Sequence, residues 1–132
     1  MATITEDFVS FETAKLLKEK GFDIPCNCYG GYNGVNLTYR LCITDKYTNW
    51  NKHTDKTIIS CPTLQMTMKW LREMHNIFIE INVSIDLNGN YHYSYSILNK
   101  ECKYVRKGYT DFDWDYKQSC EAAIKYCLEN LI

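Results

Sequence analysis

The side chains best equipped for chemistry are the seven cysteines and three histidines. Cys26 and Cys28 flank a single residue, and His53, His75 or His92 could complete a zinc tetrahedron with them. Protein zinc sites are usually built from two chelating motifs, each with two to four residues between its ligands. One Cys-x-Cys without a second motif departs from that pattern, and small thiols beside a strand behave as buried hydrophobes. Cys26 and Cys28 are therefore weak candidate ligands, and the spacing predicts neither a metal centre nor a cofactor. A cysteine nucleophile needs a histidine base within hydrogen-bond reach, and the spacing pairs no particular Cys with a particular His. Asp113 and Asp115 could act as paired carboxylates. They directly precede a helical pattern, where carboxylates oppose the positive end of the helix dipole. No catalytic residue is assigned.

One group of polar residues does share a surface, and a strand puts it there. In residues 77–86, Ile77, Ile79, Ile81, Val83 and Ile85 alternate with Phe78, Glu80, Asn82, Ser84 and Asp86. Side chains alternate across a strand, so one face is aliphatic. Tyr91, Tyr93, Tyr95 and Ile97 alternate in the same way. Two hairpin registers compete. A two-residue loop, Asn88-Gly89, sets Ile85 opposite His92 and turns the tyrosines away from the isoleucines. A three-residue loop, Leu87-Asn88-Gly89, sets Ile85 opposite Tyr91, Val83 opposite Tyr93 and Ile81 opposite Tyr95, so both strands bury one shared face. A one-residue slip sends a whole apolar set to the wrong side, so the second register is predicted. It takes a type I turn closed by Gly89 in the left-handed conformation. The opposite face then carries Phe78, Glu80, Asn82, Ser84, His92, Ser94 and Ser96, a candidate surface for a ligand or partner. Antiparallel sheets also leave such a face wet with no role.

Three helices are expected to hold this ribbon, over residues 11–20, 63–75 and 116–130. Ser10 caps the first, Phe11, Ala14 and Leu17 form its stripe, and Gly21 stops it with Phe22 folded back on Leu17. Thr63 caps the second, whose Leu64, Met68 and Leu71 are widened by Trp70, and Asn76 ends it. Asp115 and Gln118 form a capping box for the third. Its Cys120, Ala123, Ile124, Cys127, Leu128 and Leu131 recur at helical spacing. A third strand falls within residues 102–109, after a turn at Asn99-Lys100. The N-terminal half reads as a short strand at 26–29, a glycine turn at 30–34 and a half-buried strand carrying Val35, Leu37, Tyr39, Leu41 and Ile43. A polar surface loop at 44–56 and a short strand at 57–60 follow. The sum is a single two-layer α+β domain over residues 1–132, an antiparallel sheet of about three to five strands with the three helices on its aliphatic face.

Charge nearly balances, 15 Lys+Arg against 16 Asp+Glu. There is no global pull toward nucleic acid or anionic lipid. No apolar run approaches the roughly 20 residues of a membrane span, and the first residues lack the pattern of a signal peptide. The odd cysteine count fits reduced thiols better than a disulfide framework. A cytoplasmic protein with no membrane partner is expected. Tyr29, Tyr32, Tyr39, Tyr47 and Trp50 gather in the N-terminal half. Tyrosine and tryptophan are favoured at interfaces, so a homodimer through this region or a sheet edge is a further expectation.

Three stretches carry a resemblance. They are Val9-Ser10-Phe11-Glu12-Thr13-Ala14-Lys15-Leu16-Leu17-Lys18-Glu19-Lys20-Gly21-Phe22-Asp23, Lys69-Trp70-Leu71-Arg72-Glu73 and Glu121-Ala122-Ala123-Ile124-Lys125. They resemble a small family of uncharacterised proteins encoded by gut Bacteroidales bacteria and by their phages and prophages. The likeness runs over nearly the whole chain and is weakest before residue 60. It implies a phage or prophage accessory protein and supplies no functional residues.

The order helix, three strands, helix after residue 63 is also that of double-stranded-RNA-binding domains. Those domains place lysines at the start of the last helix to grip phosphate. Here that position holds Asp111-Phe112-Asp113-Trp114-Asp115, which repels phosphate, and the nearby cations are Lys103, Arg106, Lys107 and Lys117. The leading expectation is a non-enzymatic accessory protein that works through contacts with an unknown protein partner. A nucleic-acid binder on the helix–strands–helix core is the alternative. A zinc- or thiol-dependent enzyme ranks last.

Overall fold

A computed structural model describes residues 4–33 and 38–132, with side chains for all of these except 32, 33, 38 and 39. The expected turn position Gly34 and strand positions Val35 and Leu37 lie outside the described residues. The architecture is α+β, with three helices and two three-stranded antiparallel sheets. The chain divides into two compact units, Met1–Thr63 and Leu64–Ile132. The strands are thus shared between two sheets rather than gathered in one. Among the described residues no helix is long and apolar enough to cross a membrane.

The first unit opens with α1 (Phe11–Glu19). Ser10 Oγ accepts the Thr13 N–H at 3.3 Å, which satisfies one of the amides a helix start leaves without a partner. Gly21 stops the helix at φ +86°. The Phe22 N–H then reaches back to the Leu17 carbonyl at 2.9 Å, and both side chains are fully buried. This is the ending the sequence predicts.

The sheet of this unit has β1 (Cys26–Asn33) at its centre, between β2 (Thr38–Thr48) and β3 (Ile59–Ser60). It departs from expectation in three places. The strand β1 runs straight through Gly30 and Gly31, where a turn was expected. Gly30 pairs with Leu41 on one side and Ile59 on the other, so ladder bonds on both edges hold a backbone that glycine alone would leave free. The strand β2 continues to Thr48, past the expected start of the loop at residue 44. Its polar residues are those of an edge strand, which sequence patterning cannot tell from a loop. Leu41 and Ile43, expected on a half-buried face, are exposed at 45% and 63%. They lie on the edge strand, whereas α1 packs against β3 at the other edge.

A 3-10 turn at Trp50–Lys52 fastens the return of the chain. The Trp50 indole donates to the Cys26 carbonyl at 2.8 Å, and its ring lies 4.5 Å from that of Tyr29. Asn51 Oδ1 accepts the Ser60 N–H at 2.9 Å, and its Nδ2 donates to the Phe22 carbonyl at 2.9 Å.

In the second unit, α2 (Leu64–His75) precedes a meander of β4 (Phe78–Ile85), β5 (Tyr91–Leu98) and β6 (Tyr104–Tyr109), and α3 (Tyr116–Asn130) closes the chain. Asn76 ends α2 at φ 54°, and the Ile77 N–H bonds back to the Leu71 carbonyl at 3.1 Å. Asp115 and Gln118 form the full capping box of α3. Both helices pack on β4, and α3 also packs on β5. Cys120, Ala123, Ile124, Cys127 and Leu128 are completely buried. Burial of each large aliphatic side chain stabilises by about 1.5–3 kcal/mol before chain entropy.

The hairpin has the predicted register: Ile85 faces Tyr91, Val83 faces Tyr93 and Ile81 faces Tyr95. The turn is also as predicted. The Gly89 N–H bonds to the Asp86 carbonyl, the Asp86 N–H bonds to the Asn90 carbonyl, and Gly89 sits at φ +81°. The next turn repeats the design. The Cys102 N–H bonds to the Asn99 carbonyl, the Asn99 N–H bonds to the Lys103 carbonyl, and Cys102 sits at φ 58°. Asp86 Oδ1 accepts the N–H groups of Asn88 and Asn90, and Asn99 Oδ1 accepts those of Glu101 and Lys103. Two turns of one geometry thus flank β5, one closed by glycine and one by cysteine.

Candidate functional site

The seven residues expected on the polar face do share it. Glu80 lies opposite Ser96, Asn82 opposite Ser94, Ser84 opposite His92, and Phe78 opposite Leu98. Much of their hydrogen bonding is turned inward. Ser96 is buried, and its hydroxyl accepts the Gly108 N–H at 2.9 Å. Glu80 is hydrogen-bonded to the Tyr104 hydroxyl, and that bond raises the phenol above its ordinary pKa. His92 Nε2 lies 2.8 Å from Asp86 Oδ2. The bond to Asp86 raises the imidazole above its ordinary pKa, and the same bond, with help from the Asn90 N–H, holds Asp86 down at about 2. The Phe112 ring meets the imidazole edge-on at 5.8 Å, and His92 Nδ1 is buried. Neither ring nitrogen is therefore presented to an incoming substrate, and the His92–Asp86 pair ties the turn to the strand. Phe78, Asn82 and Ser84 remain exposed. His92 was expected on the candidate face, whereas Asp86 and Phe112, each noted only in its own stretch, were not. The signal was an acid at the first turn position, one step beyond the strand.

The buried thiols are arranged for packing. Cys26 and Cys28 are buried, and the Cys26 thiol points to the Cys28 carbonyl at 3.2 Å. Burial raises the Cys26 thiol. A hydrogen bond with Cys61, followed by burial, raises Cys28. In α3, burial pushes Cys127 up to about 12. Thiols held neutral are poor nucleophiles and poor ligands. No group of three or more potential metal ligands forms among the described residues. Asp115 caps α3, and the Asp113 N–H donates to Asp111 Oδ1 at 3.1 Å in the turn before it.

Arg106 is also engaged inside the unit. Its guanidinium lies 3.8 Å from the Tyr109 ring centre and 4.2 Å from that of Tyr126, and its Nε donates to the Tyr95 hydroxyl at 2.9 Å. Tyr95 stacks in turn on Trp114 at 6.1 Å. This cation is the most enclosed of those near α3 that could have met phosphate.

A shallow cleft of ≈ 340 Å³ opens between the end of α2 and the second turn, lined by His75, Ile77, Asn99, Lys100, Glu101 and Leu131. Its size is at the lower bound for small-molecule sites. Asn99 Oδ1 is committed to the turn, and Lys100 and Glu101 approach each other at 3.9 Å. No reactive pair converges there.

The more telling surface is on the aliphatic side of the hairpin. Ile77, Tyr95 and Ile97 are buried at its base, and Ile79, Ile81 and Tyr93 are partly covered. At its far end Val83 is 58% exposed, Ile85 62%, Tyr91 63% and Leu87 fully. The expectation that both strands bury their shared face is therefore corrected for Val83, Ile85 and Tyr91: the cover stops short of the turn. Alternation shows which side is apolar, not how far a helix reaches along it, so the pattern does not reveal this patch. Leu87, an aliphatic residue at a turn position that no strand face can bury, was the available sign.

No protein family matches the chain, nor does any curated protein or solved structure.

Proposed function

We propose that this protein is a non-enzymatic accessory protein that binds another protein through the far half of the β4–β5 hairpin. The supporting observation is the exposure of Val83, Ile85 and Tyr91 at one end of a face that is buried at its other end, with Leu87 exposed in the adjoining turn. Contiguous apolar exposure of this kind is characteristic of contact surfaces, and tyrosine with branched aliphatics suits their cores. The engaged histidine, the raised pKa of buried Cys26, Cys28 and Cys127, and the occupied Arg106 argue against catalysis and phosphate binding. The resemblance in residues 9–23, 69–73 and 121–125 supports, on our reading, a phage or prophage accessory role in the cytoplasm of a bacterial host.

The test is a photo-cross-linking amino acid at Tyr91, with a control at exposed Glu12, in the full chain exposed to host extract. Discrete adducts at position 91, abolished by Ile85→Lys and absent at position 12, are expected. No adduct at position 91, to itself or to any other chain, refutes the reading.

A further inference from the structure

The edge beside this surface specifies its occupant. Among the described residues β4 pairs with β5 on one side only. The Asp86 backbone points to β5, since its N–H bonds to the Asn90 carbonyl. Backbone direction alternates along a strand, so the N–H and C=O groups of Ile79, Ile81, Val83 and Ile85 point outward. Natural proteins protect such edges with lysine, proline, bulges or brevity. The opposite edge, β6, has these devices: Arg106 and Lys107, two register shifts, and Gly108 at φ +65°. The strand β4 has none. It is eight residues long, holds no Lys, Arg or Pro, and keeps perfect register with β5.

Its sequence is also self-complementary. Antiparallel pairing of two β4 strands about Asn82 sets Ile79 opposite Ile85 and Ile81 opposite Val83 of the second copy. Glu80 then faces Ser84, and Asn82 faces Asn82. No like charges meet. A two-residue shift that centres on Val83 would instead oppose Glu80 to Asp86. The chosen register also cures the incomplete cover. Ile85 and Tyr91, bare in one chain, continue into a row with Ile79 and Ile97 of the other, whose end of the sheet lies beneath helices. Val83 and Tyr93 continue likewise into Ile81 and Tyr95. Every outward backbone group of the four aliphatic residues finds a partner, about eight hydrogen bonds in all.

We propose that the protein forms a homodimer by antiparallel β4–β4 pairing about Asn82, fusing two three-stranded sheets into one of six strands. The proposal rests on the reading that the far half of the hairpin is a contact surface and names its occupant as a second copy.

The full chain, studied by sedimentation across the micromolar range, is expected to show a monomer–dimer equilibrium. Val83→Pro removes an outward N–H that no bond among the described residues uses. It should raise the dimer dissociation constant by at least about tenfold while leaving the far-ultraviolet circular dichroism of the fold intact. A second measurement does not depend on that variant folding. In a Cys102→Gly background, Asn82→Cys should form a reducible inter-chain cross-link on mild oxidation, since the two residues would face each other across the dyad. Ser84→Cys, placed opposite Glu80, should link far less. A chain that stays monomeric with no link at position 82 overturns the proposal. So does a dimer that forms equally with Val83→Pro, or one that links at 84 as readily as at 82. A monomer that still cross-links a different protein through Tyr91 overturns self-pairing and leaves the contact surface standing. A monomer with no adduct at all removes both.

Discussion

The two turns that flank β5 form a matched experiment within one molecule. Each needs a left-handed residue at the same position, supplied by Gly89 at φ +81° and by Cys102 at φ 58°. An L-residue in that conformation carries a cost of about 1–2 kcal/mol, because Cβ crowds the following carbonyl. Glycine escapes it but loses about 0.5–1 kcal/mol more on folding through its freer unfolded chain. The difference, about 0.5–1 kcal/mol, should appear with opposite sign at the two sites. Gly89→Ala should destabilise by that amount, and a Cβ there meets nothing within 4 Å, so no clash adds to it. Cys102→Gly should stabilise by the same amount, since Cys102 is exposed and gives up little packing. In urea, with an m-value of about 1–3 kcal/mol/M, the midpoints should move by roughly 0.2–1 M in opposite directions. The melt is run under reducing conditions, so that the exposed thiol does not confuse it. The sites lie at opposite ends of an eight-residue strand, so the double variant should return close to the starting midpoint. A destabilised Cys102→Gly, or a neutral Gly89→Ala, refutes the claim that these turns are limited by backbone conformation.

The His92–Asp86 pair predicts a pH dependence with a definite sign. His92 titrates above its ordinary pKa, so its share of stability is fully present below about pH 6.5 and fades as pH rises through the raised value. Asp86, held at about 2, contributes above the ordinary carboxylate range and loses its share only as pH falls through about 2. The stability gap between the protein and Asp86→Asn should therefore be widest from roughly pH 4 to 6.5 and should narrow above. Nuclear magnetic resonance of the His92 ring should show its pKa falling in the variant; an unchanged value refutes the pairing. Arg106→Lys should cost about 1–2 kcal/mol despite keeping the charge, because an ammonium cannot lie flat between Tyr109 and Tyr126 while donating to Tyr95. An unchanged urea midpoint contradicts that account.

Where the fold is set by neighbours in sequence, residue types alone reveal it. Ser10, Gly21, Asn76, Asp115 and Gln118 each act within one helical turn of their own position, and each sits where the sequence puts it. The hairpin register is legible because the turn allows a two-residue or a three-residue loop and alternation decides between them. Residues 23–60 resist for the converse reason. Gly30 is a strand residue because Leu41 and Ile59 bracket it, and neither is near it in the chain. Ile43 looks like a core residue and is exposed because its strand is an edge, a property of the assembled sheet. The candidate polar face was legible as a set, but its inward hydrogen bonds depend on β6 and on the Phe112 loop. The extent of the helical cover, which leaves Tyr91 bare, depends on tertiary packing alone.

The matched turns also bear on how quickly each sheet can assemble. In β4–β5–β6 every pairing closes across three residues, so the meander can zip from either turn with little loop entropy to overcome. The contact of β1 with β3 instead joins Gly30 to Ile59, about thirty residues apart along the chain. Low contact order favours fast formation and long-range pairing delays it. The C-terminal meander is therefore set to nucleate first, whereas the N-terminal sheet is complete only when Asn51 has drawn Ser60 and Phe22 together.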